Sequence, residues 1–286
     1  MRSLLGAATA AVLLAVAGPA LAAGGAKHPH DVKFSFEGPF GRFDQQQLQR
    51  GYKVYREVCA SCHALNLLSF RNLGQPGAPF YDPDYPNPND NPFVKQIASE
   101  YQIPDIDSET GDTITRPGTA ADRFPQPFPN EAAARGANGG AYPPDLSVIT
   151  KARHGGADYI AALMTGYPTP PAGLTVPPGQ YYNPYMAGDV SAFWQTDRKP
   201  EDRDPPPPGG FIAMPPQLSD GRVEFDDGTR STARQQAEDV AAFLAWATDP
   251  KMEERKRTGF AVLIYLSIFA GLTYASYRRI WRNVAH

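Results

Sequence analysis

The feature that most constrains this chain is a long uncharged run near its C-terminal end. Residues 259–277 read GFAVLIYLSIFAGLTYASY and carry no charged side chain. A helix of this length rises 1.5 Å per residue and can cross the ~30 Å hydrocarbon core of a bilayer. A buried core helix is the other interpretation, but clusters of Lys and Arg on both sides of the run disfavour it. We therefore predict a juxtamembrane and anchor segment at 251–282, with the span at about 259–277 and a short tail at 283–286.

The first 22 residues have the pattern of a secretory signal peptide. One arginine is followed by an alanine- and leucine-rich segment, which ends in an Ala-Leu-Ala tripeptide typical of a signal peptidase site. An uncleaved first anchor is the alternative. Because both flanks of the uncharged run are basic, the signal peptide and not the positive-inside rule decides the orientation. We expect residues 1–22 to be removed, 23–250 to form an extracytoplasmic domain and 283–286 to be cytoplasmic. This describes a single-pass protein of a bacterial inner or intracytoplasmic membrane, with its domain on the periplasmic side.

Composition excludes several classes of protein. The formal net charge of −3 over 286 residues argues against a nucleic-acid binder. Residues 23–250 hold 19 Lys and Arg against 28 Asp and Glu, so the outer domain is near −9. Such a balance is ordinary for a soluble surface, but it also suits a basic partner. Two cysteines are too few for a four-cysteine zinc site or a disulfide framework.

Helical patterns are short and are separated by stretches rich in proline and glycine. The predicted helices are one that begins after Asp44 and leads into the cysteines, 93–101, one capped by Asn130, one capped by Asp145, 157–164 and 232–247. Residues 103–129 and 166–216 read as irregular, and a small hairpin is expected around Val223 and Phe225. The pattern predicts a folded, loop-rich domain with short helices, many turns and limited regular structure.

The two cysteines lie in the motif that specifies chemistry, Cys59-x-x-Cys62-His63. This is the attachment pattern of a c-type haem, in which both thiols add to the porphyrin vinyl groups and the histidine binds iron. One turn of chain presents both sulfurs to the same porphyrin edge. A thiol–disulfide site and half of a zinc site are the alternatives. No strand pattern surrounds the motif and no further cysteines exist in the sequence, so we predict one covalently bound haem c.

An iron held by His63 needs a second axial ligand or an open site. The methionine and histidine candidates are Met164, Met186, Met214, Met252, His28, His30 and His154. Their positions along the chain leave three candidates for the second ligand: Met186, Met214 and His154. Met214 is favoured because the two prolines that follow it deny its loop a helix and hold it extended. Ligation by His and Met raises the reduction potential and favours electron transfer over oxygen chemistry.

Several segments, taken in order, resemble the cytochrome c1 family. They are FSFEGPFGRFD, RGYKVYREVCASCHAL, RPGTAADRFPQPFPNEAAARGANGGAYPPDLS, KARHGGADYIAALMTGY, YYNPYMAG, AMPPQL, VEFDDGT and DVAAFLAWATDPKMEERKRTGF. The resemblance covers about residues 31–282 and is far more specific than the haem motif alone. It implies a mostly α fold, with a class I cytochrome c-like helical haem domain, long irregular insertions and one C-terminal transmembrane helix.

The resemblance also implies a set of site residues. Cys59 and Cys62 would hold the haem, with His63 as the proximal and Met214 as the distal iron ligand. Arg153 would pair with a haem propionate, a role that suits a guanidinium. Other positions that match the haem crevice are Asn138, Pro144 and Tyr159. Some bacterial relatives carry an additional cysteine pair that braces the region before the methionine. This chain lacks the pair, so proline and packing would have to hold that loop rigid.

The activity that the resemblance implies is electron transfer. Members of the family are the haem c subunit of ubiquinol:cytochrome c oxidoreductase, a redox subunit that is only an electron carrier on its own. Their partners are cytochrome b, the Rieske iron–sulfur protein that donates the electron, and a soluble or membrane-anchored cytochrome c that accepts it. Two acidic loops are candidates for docking a basic cytochrome c. They contain Asp82, Asp84 and Asp90, and Asp105, Asp107, Glu109 and Asp112.

Two other functions fit parts of the sequence. An independent membrane-anchored cytochrome could carry electrons to an oxidase or a photosynthetic reaction centre, but the short stretch between Trp246 and the uncharged run disfavours a mobile domain. A haem enzyme such as a peroxidase would need an open distal site, and His154 is the histidine available to serve it.

Overall fold

The computed structural model describes residues 25–283. The expected signal peptide and the last three residues of the expected cytoplasmic tail lie outside the described residues. The chain divides into two units. The larger, here the helical unit, comprises residues 29–165 and everything from residue 216 onward. The smaller, here the insert unit, comprises residues 166–215 together with the described residues up to His28.

The regular structure of the helical unit begins with α1, Gln45–Val54. Asp44 is its N-cap, and the Asp44 carboxylate accepts a hydrogen bond from the Gln47 amide at 2.9 Å, as the sequence predicts. The helix widens into a π-helical turn, Tyr55–Cys59, which ends at the first cysteine. The apolar face expected from the sequence is buried and consists of Leu48, Tyr52, Tyr55 and Val58.

A short helix and a hairpin follow. Helix α2 is Pro92–Ser99, close to the predicted 93–101. Strands β1, Gln102–Ile106, and β2, Thr113–Pro117, pair antiparallel, so the prediction of an irregular segment at 103–129 is wrong in this part. Pro104 in β1 and Pro117 at the end of β2 obscure the strand pattern in the sequence. A two-stranded ribbon tolerates these prolines because each strand is an edge. Arg116 ties the hairpin together through Asp105 and Asp122.

Beyond the hairpin, one predicted helix is present and its successor is not. Helix α3, Glu131–Ala137, begins after its cap Asn130, as expected. The helix predicted after Asp145 is replaced by turns. The Asp145 carboxylate accepts the Ser147 amide, as a cap would, but it also accepts the amide of the distant Asn66, and three β-branched residues follow at 148–150. Helix α4, Gly156–Thr165, then forms close to its predicted bounds.

The insert unit is mostly irregular, as predicted, but it contains a small ribbon. Strand β3, Tyr181–Asn183, pairs antiparallel with β4, Gly210–Ile212. Its own small core consists of Leu174, Tyr182, Val190 and Trp194. Gly209 has a φ of +104°, and a Cβ there would lie 2.4 Å from the Asn183 carbonyl oxygen, so only glycine fits this turn.

Helix α5, Ala233–Thr248, packs across both α1 and α4 in the core of the helical unit. The crossing with α1 is close, since a Cβ on Gly51 would lie 2.0 Å from the Asp239 carbonyl oxygen. Arg50 also bonds the buried Asp239 carboxylate, with its Nε 2.8 Å from Oδ2. The core side chains predicted for this helix are all buried: Val240, Phe243, Leu244 and Trp246.

The hairpin predicted around Val223 and Phe225 is wrong, because this described segment contains no strand. Both side chains are buried in the core of the helical unit. The segment closes through a single backbone bond, from the Gly221 amide to the Ser231 carbonyl at 2.7 Å. It is therefore a loop that supplies two core residues.

The last long element is α6, Met252–Ile280, which contains the whole uncharged run. Within residues 25–283 it is the one helix long and apolar enough to cross a membrane. The side chains of its uncharged run are exposed, which a buried core helix would not show. The helix therefore fits a membrane anchor.

Candidate haem-attachment site

The cysteine motif lies on one tight turn at the end of the π-helical segment. The Cys59 carbonyl accepts hydrogen bonds from the amides of both Cys62, at 3.1 Å, and His63, at 2.9 Å. The preceding π-helical bond joins the Ala60 amide to the Tyr55 carbonyl at 2.8 Å. Both cysteines and the histidine are partly buried. The fold thus brings Cys59, Cys62 and His63 together on a single turn.

The imidazole of His63 is oriented by a backbone carbonyl. Its Nδ1 lies 2.8 Å from the Pro144 carbonyl oxygen, which can only accept a hydrogen bond. Nδ1 therefore carries the proton, and Nε2 keeps a free lone pair for a metal. Burial lowers the pKa of His63 below its ordinary value, although the Pro144 bond and the Asp145 charge oppose the shift. The neutral ring, the form that binds iron, is favoured.

Pro144 belongs to a short segment, residues 144–147, which runs beside the chain that follows the motif. The Asp145 carboxylate accepts the amides of Asn66, at 2.8 Å, and Ser147, at 2.7 Å. The Leu146 amide donates to the Ala64 carbonyl at 2.9 Å. We call residues 144–147 the strap. These bonds hold the strap in register with the motif, so the Pro144 carbonyl stays opposite His63.

The protonation of Cys59 speaks against a thiol–disulfide active site. Burial, followed by the neighbouring Cys62, raises the pKa of the Cys59 thiol to about 12. Redox-active Cys-x-x-Cys pairs need a lowered pKa, because the thiolate is the nucleophile. The raised pKa therefore disfavours reversible thiol–disulfide exchange at Cys59.

The other positions carried over from the resemblance lie in the helical unit, in two separate places. Asn138 is the C-cap of α3, and its side-chain amide donates to the Ala134 carbonyl at 2.7 Å. Arg153 is exposed in the turn before α4, where it interacts with the Tyr159 hydroxyl. Burial raises the pKa of Tyr159, and the Arg153 charge opposes this shift. Asn138 thus has a local capping bond, whereas Arg153 and Tyr159 form a pair.

Met214 belongs to the insert unit, where its carbonyl accepts a hydrogen bond from the Tyr167 hydroxyl at 3.0 Å. Its assignment as distal ligand remains a prediction, and so does the role of every other site residue above. Among the alternatives, Met164 packs against the hydrophobic core, which fits core filler. Met186 lies in the insert unit, and His154 is exposed in the helical unit.

Sequence reasoning missed two groups that support the motif. The buried Tyr55 hydroxyl donates to the His63 carbonyl at 3.2 Å, whereas the sequence indicated only its apolar face. Asp145 fixes the strap, whereas the sequence indicated a helix cap. The available signal was Asp145 itself, because an Asp side chain often accepts the backbone amide two residues later in a turn.

Known proteins resemble this chain in sequence over most of its length. The sequence model of the Cytochrome C1 family matches residues 34–284. Cytochrome c1 of Rhodospirillum rubrum is 39% identical over 281 residues, which cover 97% of this chain and 96% of that protein. The mitochondrial heme protein cytochrome c1-2 of Solanum tuberosum is 45% identical over 243 residues, or 85% of this chain and 81% of that protein.

A third relative is longer than this chain. Cytochrome b/c1 of Bradyrhizobium diazoefficiens is 44% identical over 278 residues, which cover 91% of this chain. The chain spans only 36% of that protein's length.

Proposed function

This chain belongs to the cytochrome c1 family, and we propose that it is the haem-carrying electron-transfer subunit of a respiratory quinol:cytochrome c oxidoreductase. In this role it accepts an electron from a Rieske iron–sulfur protein and passes it to a cytochrome c. The observation that carries the proposal is the bond between His63 Nδ1 and the Pro144 carbonyl, on the turn that also holds both cysteines. That bond leaves Nε2 free to bind iron.

The residues of this chain fit one haem c. Cys59 and Cys62 would form the two thioethers, His63 Nε2 would bind the iron, and Met214 would be its second protein ligand. When bound, the haem supplies a one-electron couple between ferrous and ferric iron. The protein's part is to hold the imidazole neutral and oriented, through burial and the strap. Arg153 would offer its exposed guanidinium to a propionate, with Tyr159 fixing its position.

The partners and the orientation follow from the same proposal. The apolar helix α6 would cross the membrane once, with residues 23–250 on the periplasmic side and the tail at 283–286 in the cytoplasm. Cytochrome b would be the neighbour in the membrane, and the acidic outer domain would attract a basic cytochrome c.

Covalent attachment is tested by removing both thiols. Cys59→Ala combined with Cys62→Ala should abolish the haem-stained band on a denaturing gel, while Ser61→Ala, between the two, should leave it intact. Haem that stays covalently bound in the double variant would contradict the attachment proposed here.

Membership of a complex is tested by purification of the full chain in mild detergent from its own membranes. A b-type haem spectrum and an iron–sulfur subunit should co-purify with it. Isolation of this chain alone, with its haem, would favour an independent membrane-anchored carrier instead. Carbon monoxide should not bind the reduced protein, since an open distal site belongs to a haem enzyme.

A further inference from the structure

A small loop of the helical unit is built against the beginning of the membrane-anchoring helix. The Arg42 amide donates to the Ser35 carbonyl at 3.0 Å and closes the loop at its base. Gly38 has a φ of +69°, and a Cβ on Gly41 would lie 2.0 Å from the Glu37 carbonyl oxygen. Gly38 thus has a left-handed conformation that favours glycine, and position 41 has no room for a side chain. We call residues 35–42 the collar loop.

One lysine of α6 donates hydrogen bonds to the backbone of the collar loop. Lys256 Nζ donates to the carbonyls of Phe36 and Gly38, both at 2.7 Å, and of Gly41 at 3.4 Å. The Lys256 ammonium group has three protons, so the three loop carbonyls use the full donor capacity of this side chain. Three residues earlier on α6, the Glu253 carboxylate accepts the Phe43 amide at 2.9 Å. The loop and the first turns of α6 are thus one structure.

The tip of the collar loop lies at the level where the uncharged run begins. The ring of Phe40 contacts the ring of Phe260 edge to face, with the centroids 5.6 Å apart and the planes at 74°. Phe260 is one residue past Gly259, the start of the run, and one helical turn past Lys256. Despite this contact Phe40 is 73% exposed, the highest value for a large apolar side chain in the described part of the helical unit.

The charges beside the tip suit a lipid headgroup layer. Arg42, two residues after Phe40, and Arg257, three residues before Phe260, are exposed, and the exposed Glu37 is the one acidic residue of the collar loop. Aromatic rings with nearby Arg or Lys are typical of the membrane–water interface. A phenylalanine exposed to water forfeits the free energy of burying its ring, which acyl chains would recover.

We propose that the collar loop is a second membrane contact of this chain, in which Phe40 inserts into the lipid interface beside α6 while Lys256 fixes the loop on the helix. The partner is the acyl chain and headgroup boundary of the bilayer. The contact would hold the helical unit at a fixed height and tilt on its anchor.

Photo-crosslinking in native membranes tests this contact. Phe40 is replaced by benzoylphenylalanine in the full chain, membranes are irradiated, and the adducts are identified by mass spectrometry after purification. Phe269, 57% exposed in the uncharged run, is the positive control. Phe93, 56% exposed on α2, is the matched control for an exposed phenylalanine. We expect phospholipid adducts at positions 40 and 269 and none at 93.

The role of Lys256 in fixing the collar loop is tested by combining the probe at position 40 with Lys256→Gln. Phospholipid adducts at 40 should fall severalfold, whereas a probe at 269 in the same Lys256→Gln background should react as before, which shows that the helix is still inserted. Adducts at 40 that join only another protein, or no adducts at 40, overturn the proposed lipid contact. Phospholipid adducts at position 40 that are unchanged in the Lys256→Gln chain overturn the proposed role of Lys256.

Discussion

The Nδ1 of His63 and the carbonyl oxygen of Pro144 lie 2.8 Å apart, although 81 residues separate them in the chain. This contact fixes the tautomer and the plane of the imidazole without a charged partner. A carbonyl makes the ring a weaker electron donor than a carboxylate would, so Nε2 remains a neutral ligand. The position of the carbonyl depends in turn on the strap.

Removal of the Asp145 carboxylate should loosen the strap. In Asp145→Ala the amides of Asn66 and Ser147 lose their acceptors, and we expect the free energy of unfolding to fall by about 1–3 kcal/mol. Asp145→Asn keeps one acceptor oxygen and should lose less. Thermal unfolding of the full chain in detergent measures both. An alanine variant as stable as the parent would show that other bonds hold the strap.

Substitution of Met214 tests the distal ligand. Met214→Leu should retain the haem but lose the methionine–iron charge-transfer band, and the reduction potential should fall by on the order of hundreds of millivolts. Met186→Leu, in the same unit, is the matched control and should change neither the band nor the potential. The reverse result would transfer the ligand assignment to Met186.

The crossing of α1 and α5 leaves no room for a methyl group. A Cβ on Gly51 would lie 2.0 Å from the Asp239 carbonyl oxygen and 2.7 Å from the Phe243 Cβ. We expect Gly51→Ala to cost about 3 kcal/mol or more, seen as a lower unfolding temperature and a lower yield of haem-loaded protein. Gly136→Ala, in α3 with open space around it, should instead gain about 0.5–1 kcal/mol. Equal effects of the two changes would contradict the tight crossing.

Acid should weaken the hairpin of β1 and β2. The Arg116 guanidinium bonded to Asp122, with the Thr119 amide and hydroxyl, holds the pKa of Asp122 well below its usual range. A depressed carboxyl pKa stabilises the fold above the unfolded value of ~3.9, and this contribution is lost as the pH falls toward the folded value.

Asp122→Asn should therefore lower the free energy of unfolding by about 1–2 kcal/mol at neutral pH. The difference from the parent should shrink below about pH 4. Asp112→Asn, an exposed acid in the loop of the same hairpin, should have little effect at either pH. Unfolding at several pH values checks this, and a difference that does not change with pH would mean that charge is not its cause.

Charge neutralisation in the acidic loop of the hairpin should slow the encounter with a basic cytochrome c. The Asp105 carboxylate is already paired with Arg116, so the exposed Glu109 and Asp112 are the better targets. Glu109→Gln with Asp112→Asn should lower the bimolecular electron-transfer rate at low salt. The effect should fade as the Debye length drops from ~30 Å at 0.01 M to ~8 Å at 0.15 M.

The matched control for that experiment removes two charges elsewhere. Glu201→Gln with Asp202→Asn neutralises two exposed acids of the insert unit. An equal effect from this pair would indicate attraction by overall charge and not docking at the hairpin. A parent rate that is flat across the salt range would exclude electrostatic docking and favour an apolar contact.

The sequence determined those features whose causes are local. Helix caps at Asp44 and Asn130 were predictable because each side chain bonds an amide within three residues. The membrane helix followed from its uncharged length, and the haem motif from the spacing of two cysteines and a histidine. The segments that resemble cytochrome c1 also indicated the family of the chain.

Only the tertiary structure decided which distant groups meet. Asp145 looked like a helix cap, but its carboxylate is used by Asn66, 79 residues earlier. Val223 and Phe225 alternate like a strand, yet they fill the core from a loop. The bonds from His63 to Pro144 and from Lys256 to the collar loop join residues far apart in the chain. Such contacts depend on how the helices pack. The periodicity of one segment shows which of its faces is buried, but it does not identify the distant segment that packs against that face.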